Sequence, residues 1–72
     1  MINEDTTGKI IISDKIKQYR KEHDLTQGEF GALLHVSAQA VSKWEQGKSY
    51  PDIASLPRLA LILSCSVNDF FE

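Results

Sequence analysis

The side chains best suited to recognise a ligand lie between residues 38 and 48, where polar groups recur at helical spacing. At about 100° per residue, one helix face there carries Gln39, Ser42, Lys43 and Gln46. Glutamine can pair with adenine through two hydrogen bonds, lysine can donate to guanine, and serine hydroxyls suit phosphate. A solvated helix surface has the same composition, and periodicity alone favours that plainer interpretation.

No catalytic or metal-binding set accompanies these residues in the sequence. There is one cysteine, Cys65, and the two histidines lie twelve positions apart without a carboxylate or thiol set at ligand spacing. We expect His23 to pack half-buried beside a helix and His35 to face solvent in a turn. A glycine-rich phosphate loop is also lacking, so the sequence predicts a protein that is not an enzyme and uses no cofactor.

Length and composition predict one small domain. The chain has 72 residues, 42% of them hydrophobic and 25% charged, which is ordinary globular usage and too short for two independent cores. The single cysteine suits a reducing compartment, and no apolar run approaches the ~20 residues of a membrane helix. We therefore expect a cytoplasmic protein without membrane contact, with a flexible tail over residues 1–9 and a folded domain over residues 10–72.

The elements that position the polar face are predicted to be short helices separated by tight turns. Ser13 is a candidate cap for a first helix that runs to about His23. Its apolar stripe consists of Ile12, Ile16 and Tyr19. A short strand over residues 10–12 is the alternative, but no convincing second strand is available to pair with it.

The start of a second helix is the clearest local signal. Thr26 and Glu29 have the spacing of a capping box, and Leu25 and Phe30 can form a hydrophobic staple around it. The second helix is therefore predicted to begin at Gln27. Its inward side chains are expected to be Phe30, Leu33 and Leu34.

A break at residues 35–37 leads to a third helix. Ser37 can cap this helix, and Gly47 is a natural residue beyond an end near Gln46. Gly31, on the inner face of the second helix, lets another helix approach closely. Two short helices joined by such a turn have the outline of a helix-turn-helix.

Two further helices are predicted after residue 50. Pro57 fits the first turn of a fourth helix that is capped by Ser55, with a buried stripe of Leu56, Leu59, Ala60 and Leu63. A second capping box, Ser66 to Asp69, opens a last helix that continues through Phe70 and Phe71. The sequence thus predicts an all-α, compact domain of five short helices.

Five stretches of the sequence together point to a known family. They are IKQYRK from residue 16, LTQ from 25, VSAQAVSKWEQGK from 36, SYPD from 49 and VNDF from 67. In order and spacing they resemble the lambda-repressor-like helix-turn-helix family, which includes phage repressors, Cro proteins and XRE-type bacterial regulators. The resemblance covers more than three quarters of the chain and outweighs the solvated-surface interpretation. It implies sequence-specific binding of double-stranded DNA by a transcriptional regulator, a repressor or the DNA-binding module of a longer regulator.

The resemblance also implies roles for individual positions. The recognition helix spans about 38–46, and its base-reading positions are Ala38, Gln39 and Lys43. The phosphate-facing positions are Gln27, Ser37, Ser42, Gln46 and Lys48, and the family glutamine at Gln27 also braces the recognition helix. Arg20 and Glu45 occupy positions that the family joins in a partly buried ion pair between the first and third helices.

Two departures from the family pattern matter. Ala38 replaces a longer polar residue, so it can offer only apolar contact, for example to a thymine methyl group. Asp24 and His35 replace turn glycines, so the resemblance leaves the geometry of both corners open. Asp tolerates the left-handed backbone conformation better than most residues.

The expected partners are double-stranded DNA and a second copy of the chain. A weakly acidic monomer, with a net charge of −2 and few phosphate contacts, should bind DNA poorly alone. The resemblance implies a homodimer on half-sites about one helical turn apart, and the aromatic end at Phe70 and Phe71 is a candidate for pairing. No small-molecule ligand is indicated. The alternative is a protein-interaction module, such as an antitoxin component, that retains the fold; the negative charge favours it.

Overall fold

The described part of the computed structural model, residues 11–71, consists of helices joined by turns. Four α-helices, α1 (Ile12–His23), α2 (Gln27–Leu34), α3 (Ala38–Glu45) and α4 (Leu56–Ile62), are joined by short turns, and 3-10 turns span Ile53–Ser55 and Val67–Phe70. No extended strand occurs between residues 11 and 71. The predicted tail over residues 1–9 and the first residue of the alternative strand lie outside the described residues. The all-α class is confirmed, but the predicted count of five helices is wrong.

One hydrophobic core joins the four helices and the last 3-10 turn. Its ten buried apolar residues are Ile12, Ile16, Phe30, Leu34, Val41, Trp44, Leu56, Leu59, Ala60 and Phe70. Every helix contributes to this core, and α3 packs into it through Val41 and Trp44. None of the helices among residues 11–71 has the length and apolar content needed to cross a membrane.

The first helix begins earlier than its predicted cap. Ile11 is the N-cap residue, without a side-chain cap bond, and Ser13 lies inside the first turn, so the Ser13 cap was wrong. Burial of Ile12 against the core draws that residue into the helix. The predicted stripe is confirmed, since Ile12 and Ile16 are buried and Tyr19 packs against the core.

The two histidines are both exposed. This agrees with the prediction for His35 but not with the half-buried position expected for His23. The ring of His23 stacks on Tyr19 from the outside, with 4.0 Å between centroids. His23 therefore covers part of an aromatic side chain while remaining in contact with solvent.

The capping box at the start of α2 is confirmed. The N–H of Glu29 donates to Thr26 Oγ1 at 3.0 Å, and the N–H of Thr26 donates to Glu29 Oε1 at 2.8 Å. Phe30 and Leu34 are buried, but Leu33 is 40% exposed, so its predicted inward orientation was wrong. Residues 30, 31 and 34 form the buried stripe, and position 33 falls at its edge.

The fourth helix has the predicted start and cap residue, without a side-chain cap hydrogen bond. Pro57 lies in its first turn, where a missing N–H costs no helical hydrogen bond. Ser55 is the N-cap residue, as predicted, but it belongs to the preceding 3-10 turn and its side chain makes no cap hydrogen bond. The buried stripe is confirmed for Leu56, Leu59 and Ala60, and Leu63 packs partly buried against the core.

The predicted fifth helix is a single 3-10 turn. The N–H of Ser66 donates to Asp69 Oδ2 at 2.9 Å, so the cap forms, but Phe71 is already extended at φ −120°. Phe70 is completely buried, whereas Phe71 is 44% exposed. The backbone N–H of Ile11 donates to Phe70 O at 2.9 Å and connects the start of α1 to this turn.

Candidate nucleic-acid interface

The turn between α2 and α3 brings the two helices into close contact. His35 adopts the left-handed conformation (φ 59°, ψ 40°), and the N–H of Val36 donates to Gly31 O at 2.9 Å. A Cβ on Gly31 would lie 2.6 Å from the carbonyl oxygen of Val36 and 3.2 Å from that of Ser37. Only glycine fits this position without a backbone shift, which confirms the close approach predicted there.

The two departures from the family glycines leave both corners intact. Asp24 takes φ 57° at the end of α1, and His35 takes φ 59° at the end of α2. The N–H of Leu25 then donates to Arg20 O at 2.9 Å, which closes the first corner. Both residues therefore adopt a conformation that glycine enters more readily, at some cost in backbone strain.

The third helix has one buried and one exposed face. Val41, Trp44 and Glu45 are buried on the inner side. The exposed side carries Ala38, Gln39, Lys43 and Gln46, with Ser42 half-buried at its margin. Ser37 caps the helix, because its Oγ accepts from the N–H of Ala40 at 3.1 Å. The Ser37 cap and the exposure of the polar face of α3 thus agree with the prediction from the sequence.

The predicted site residues are engaged to different extents. Within residues 11–71, the side chains of Gln39 and Lys43 make no hydrogen bond or ion pair, so their polar groups remain available. Ser42 and Gln46 are bonded to each other, with Gln46 Nε2 donating to Ser42 Oγ at 2.8 Å. Their i, i+4 spacing could have revealed this pair in the sequence. Lys48 is exposed just beyond the left-handed Gly47.

Arg20 and Glu45 form a two-pronged ion pair between α1 and α3. Arg20 Nε donates to Glu45 Oε2 at 2.6 Å, and Arg20 Nη2 donates to Glu45 Oε1 at 2.8 Å. The third nitrogen, Nη1, donates to the carbonyl oxygen of Leu25 at 3.0 Å. The structure thus brings together the two residues that the sequence analysis paired, and the guanidinium also holds the α1–α2 corner.

A third side chain joins this ion pair. The family resemblance implied that Gln27 braces the recognition helix, but it did not name Glu45 as the partner. Gln27 Nε2 donates to Glu45 Oε1 at 3.1 Å. Gln27 and Glu45 are eighteen positions apart, and no local spacing rule connects them. The predicted phosphate-binding glutamine is therefore held half-buried at the start of α2 by the last residue of α3.

The electrostatics of Glu45 favour its charged form. Burial by itself would raise the pKa of Glu45, but the hydrogen bonds from Arg20 and Gln27, and the charges of Arg20 and Lys17, outweigh burial and lower the pKa below its ordinary value. The hydrogen bond to Glu45 likewise raises the pKa of Arg20. Both partners are therefore charged at neutral pH.

A helix-turn-helix family model matches residues 16–70. The chain belongs to the XRE-type helix-turn-helix family. The family resemblance is thereby confirmed, and the four α-helices described above are the helix-turn-helix and its supports. Among residues 11–71, no group of three or more His, Cys, Asp or Glu side chains is placed to hold a metal ion.

The proteins that this chain resembles differ in length, and the chain spans different shares of them. The transcriptional activator BcrR of Enterococcus faecalis is 37% identical over 60 residues, and the antitoxin HigA-2 of Vibrio cholerae is 36% identical over 56 residues. These matches cover 83% and 76% of this chain, which spans only 29% of BcrR and 54% of HigA-2. The P22 c2 repressor, solved in complex with a synthetic operator, superposes with a TM-score of 0.76 at 26% identity, over 89% of this chain and 97% of that chain.

Proposed function

We propose that this chain is a sequence-specific DNA-binding transcriptional regulator, acting as a repressor, or the DNA-binding module of a longer regulator. One observation carries the proposal: α3 is anchored on its buried face, and on its exposed face Gln39 and Lys43 make no side-chain hydrogen bond or ion pair within residues 11–71. An α-helix of this kind fits the major groove of B-DNA. Family membership and the likeness to an operator-bound repressor support it. On this proposal the protein acts by binding and not as an enzyme.

The proposed contacts divide between the exposed face of α3, which reads bases, and the residues that flank this face, which bind phosphate. Base reading is assigned to Ala38, Gln39 and Lys43, because they lie on the exposed face of α3. Phosphate contacts are assigned to Gln27, Ser37, Ser42, Gln46 and Lys48, which flank that face. Gln27 and Ser37 lie at helix N-termini, where backbone dipoles favour an anion. Ser42 and Gln46 would approach phosphate as a bonded pair.

The proposal includes a symmetric homodimer of the domain over residues 10–72, preceded by the tail over residues 1–9. Two large apolar side chains around α4 are strongly exposed, Ile53 at 85% and Leu61 at 77%, and Phe71 is exposed beyond the last turn. Such surface is available for an isologous contact. Two copies would also double the number of phosphate contacts, which offsets the net charge of −2 of each chain. The proposed location is the cytoplasm, where Cys65 stays reduced.

A second candidate is a protein-interaction module such as an antitoxin component. The similarity to HigA-2 and the negative net charge favour it. The two proposals predict different responses to salt. A DNA-binding domain loses affinity for mixed DNA steeply as salt increases, because phosphate contacts release counterions. A module devoted to a protein partner shows no binding to titrate.

Selection of bound sequences from a random DNA pool tests the proposal directly. We expect a palindromic operator with half-sites about one helical turn apart. Gln39→Ala should then cost ~1–3 kcal/mol at one base pair and relax the preference there. Lys48→Ala should weaken all sequences about equally and reduce the salt slope by about one contact. If both substitutions gave the same pattern across operator variants, the assignment of base and phosphate contacts would be wrong.

A further inference from the structure

Glu45 is the buried charged residue through which three of the four α-helices, α1, α2 and α3, meet. It is 9% exposed, and its carboxylate accepts two hydrogen bonds from Arg20 of α1 and one from Gln27 of α2. Because Glu45 is the last residue of α3 and Gln27 the first of α2, the carboxylate ties opposite ends of the helix-turn-helix together. A buried carboxylate with all of these partners has a fixed position.

The carboxylate restricts a side chain that would otherwise be mobile. Gln27 is the first helical residue, and a glutamine at a helix start samples many rotamers when it has no partner. Here one Nε2 hydrogen is held by Glu45 Oε1 at 3.1 Å. The second Nε2 hydrogen remains, together with the Gln27 backbone N–H, which has no intrahelical acceptor in the first turn of α2. These donors are held in one arrangement before any ligand binds.

The chain contains a natural comparison for this contact. Gln18 Nε2 donates to Glu22 Oε2 at the same distance, 3.1 Å, but both residues are exposed on α1. That pair joins two turns of one helix and restrains nothing outside it. The Gln27–Glu45 bond connects two helices, and Arg20 fixes its acceptor with a planar fork that occupies both carboxylate oxygens.

We infer that Glu45 is a positioning residue for DNA binding, which acts by holding the amide of Gln27 ready to donate to a phosphate. This inference rests on the proposed function. Preorganisation of this kind increases affinity because the side chain is already ordered before binding. It also gives Glu45, an acidic residue, a favourable effect on an anionic ligand. The sign of that effect is opposite to the one expected from its charge alone.

A double-mutant cycle in the full chain tests this inference, with the selected operator as the probe. Glu45→Gln should weaken operator binding about 5–10-fold although it removes a negative charge, and Gln27→Ala should weaken it by about the same factor. In the Gln27→Ala background, Glu45→Gln should change affinity by less than about twofold, because the group it positions is gone. Gln18→Ala, the matched control, should leave affinity unchanged. Each variant is measured where circular dichroism shows it to be fully folded.

The outcomes separate this inference from the proposed function. Equal losses from Glu45→Gln in both backgrounds would mean a purely structural role and would overturn the inference while the proposed function stands. A wild-type chain that selects no operator would overturn both. If Glu45→Gln does not fold, side-chain ¹⁵N relaxation of the unmodified protein decides. The Gln27 amide should be rigid and those of Gln18 and Gln39 mobile; equal mobility of all three would overturn the inference.

Discussion

The helix-turn-helix with its first cap, residues 26–45, and the C-terminal segment, residues 63–71, contain the same kind of helix-start signal and end differently. Each contains a capping box, Thr26 with Glu29 and Ser66 with Asp69. In the first case a helix of eight residues follows, and in the second a single 3-10 turn. A cap fixes where a helix can start, but burial of a stripe of side chains is needed to propagate it. After the cap at Ser66 only Phe70 is buried, and the backbone is already extended at Phe71.

The two regions therefore depend on different interactions. The helix-turn-helix is specified by successive local features: two caps, a left-handed turn residue and a glycine at the helix contact. The C-terminal segment depends mainly on Phe70, which is completely buried while its neighbour Phe71 is exposed. Substitutions in the two regions should consequently affect stability through different mechanisms, and paired variants can separate them.

The largest effect is expected at Phe70. Phe70→Ala removes a fully buried aromatic side chain and should lower the free energy of unfolding by ~3–5 kcal/mol. That is close to the whole stability of a domain of this size, so the variant should be largely unfolded at 37 °C. Phe71→Ala, the adjacent control, should cost less than ~1 kcal/mol in a urea titration. Equal costs for the two variants would contradict the anchoring role of Phe70.

A smaller effect is expected at Gly31, where alanine should destabilise the protein although its helix propensity is higher. Alanine is a better helix former by ~1 kcal/mol, but a Cβ on Gly31 would lie 2.6 Å from the carbonyl oxygen of Val36. Because a backbone atom must move, Gly31→Ala should destabilise the protein by ~1–3 kcal/mol.

Gly28 of the same helix provides the matched control. A Cβ there meets only the Cβ of Ala38, at 3.8 Å, and Thr26 Oγ1, at 3.9 Å, which are ordinary contacts. Gly28→Ala should therefore stabilise the protein by up to ~1 kcal/mol in the same urea titrations. A gain from both alanine variants would show that the α2–α3 contact is looser than the structure has it.

Most of the helix-turn-helix could be predicted from the sequence because its signals are local. The Thr26–Glu29 box, the Ser37 cap and the Gly47 end are each contained within one or two turns of chain. The predictions that failed depended on tertiary contacts. Ser13 is drawn into α1 by the burial of its neighbour, and Leu33 falls at the edge of a stripe whose width only packing defines.

The candidate site shows the same division. The exposed face of α3 follows from helical periodicity, whereas its interpretation as a DNA-binding surface came from the family resemblance. The resemblance implied that Gln27 braces the recognition helix. Its hydrogen bond to Glu45 in particular could not be predicted, because the two residues are eighteen positions apart and meet only where α2 and α3 cross. Long-range polar contacts of this kind become visible only once the core has set the helix positions.

The smallest effect is expected where the two regions are most alike, at their left-handed residues. His35 ends α2 at φ 59°, and Ser64 follows α4 at φ 58°; the next N–H in each case bonds back to a helix carbonyl at 2.9 Å. In this conformation the Cβ atom of each residue lies too close to the following carbonyl oxygen, at a cost of ~1–2 kcal/mol. Glycine removes that cost but gains freedom in the unfolded chain, so His35→Gly and Ser64→Gly should each stabilise by only ~0.5–1 kcal/mol. Asp24→Gly, at φ 57°, should gain less, because the short polar side chain of aspartate can hydrogen-bond locally in this conformation. Shifts in the urea midpoint at constant slope measure all three. A gain in stability from His35→Gly without one from Ser64→Gly would show that the left-handed residue costs less stability after α4 than after α2. The two corners would then share a backbone geometry but not its energetic cost.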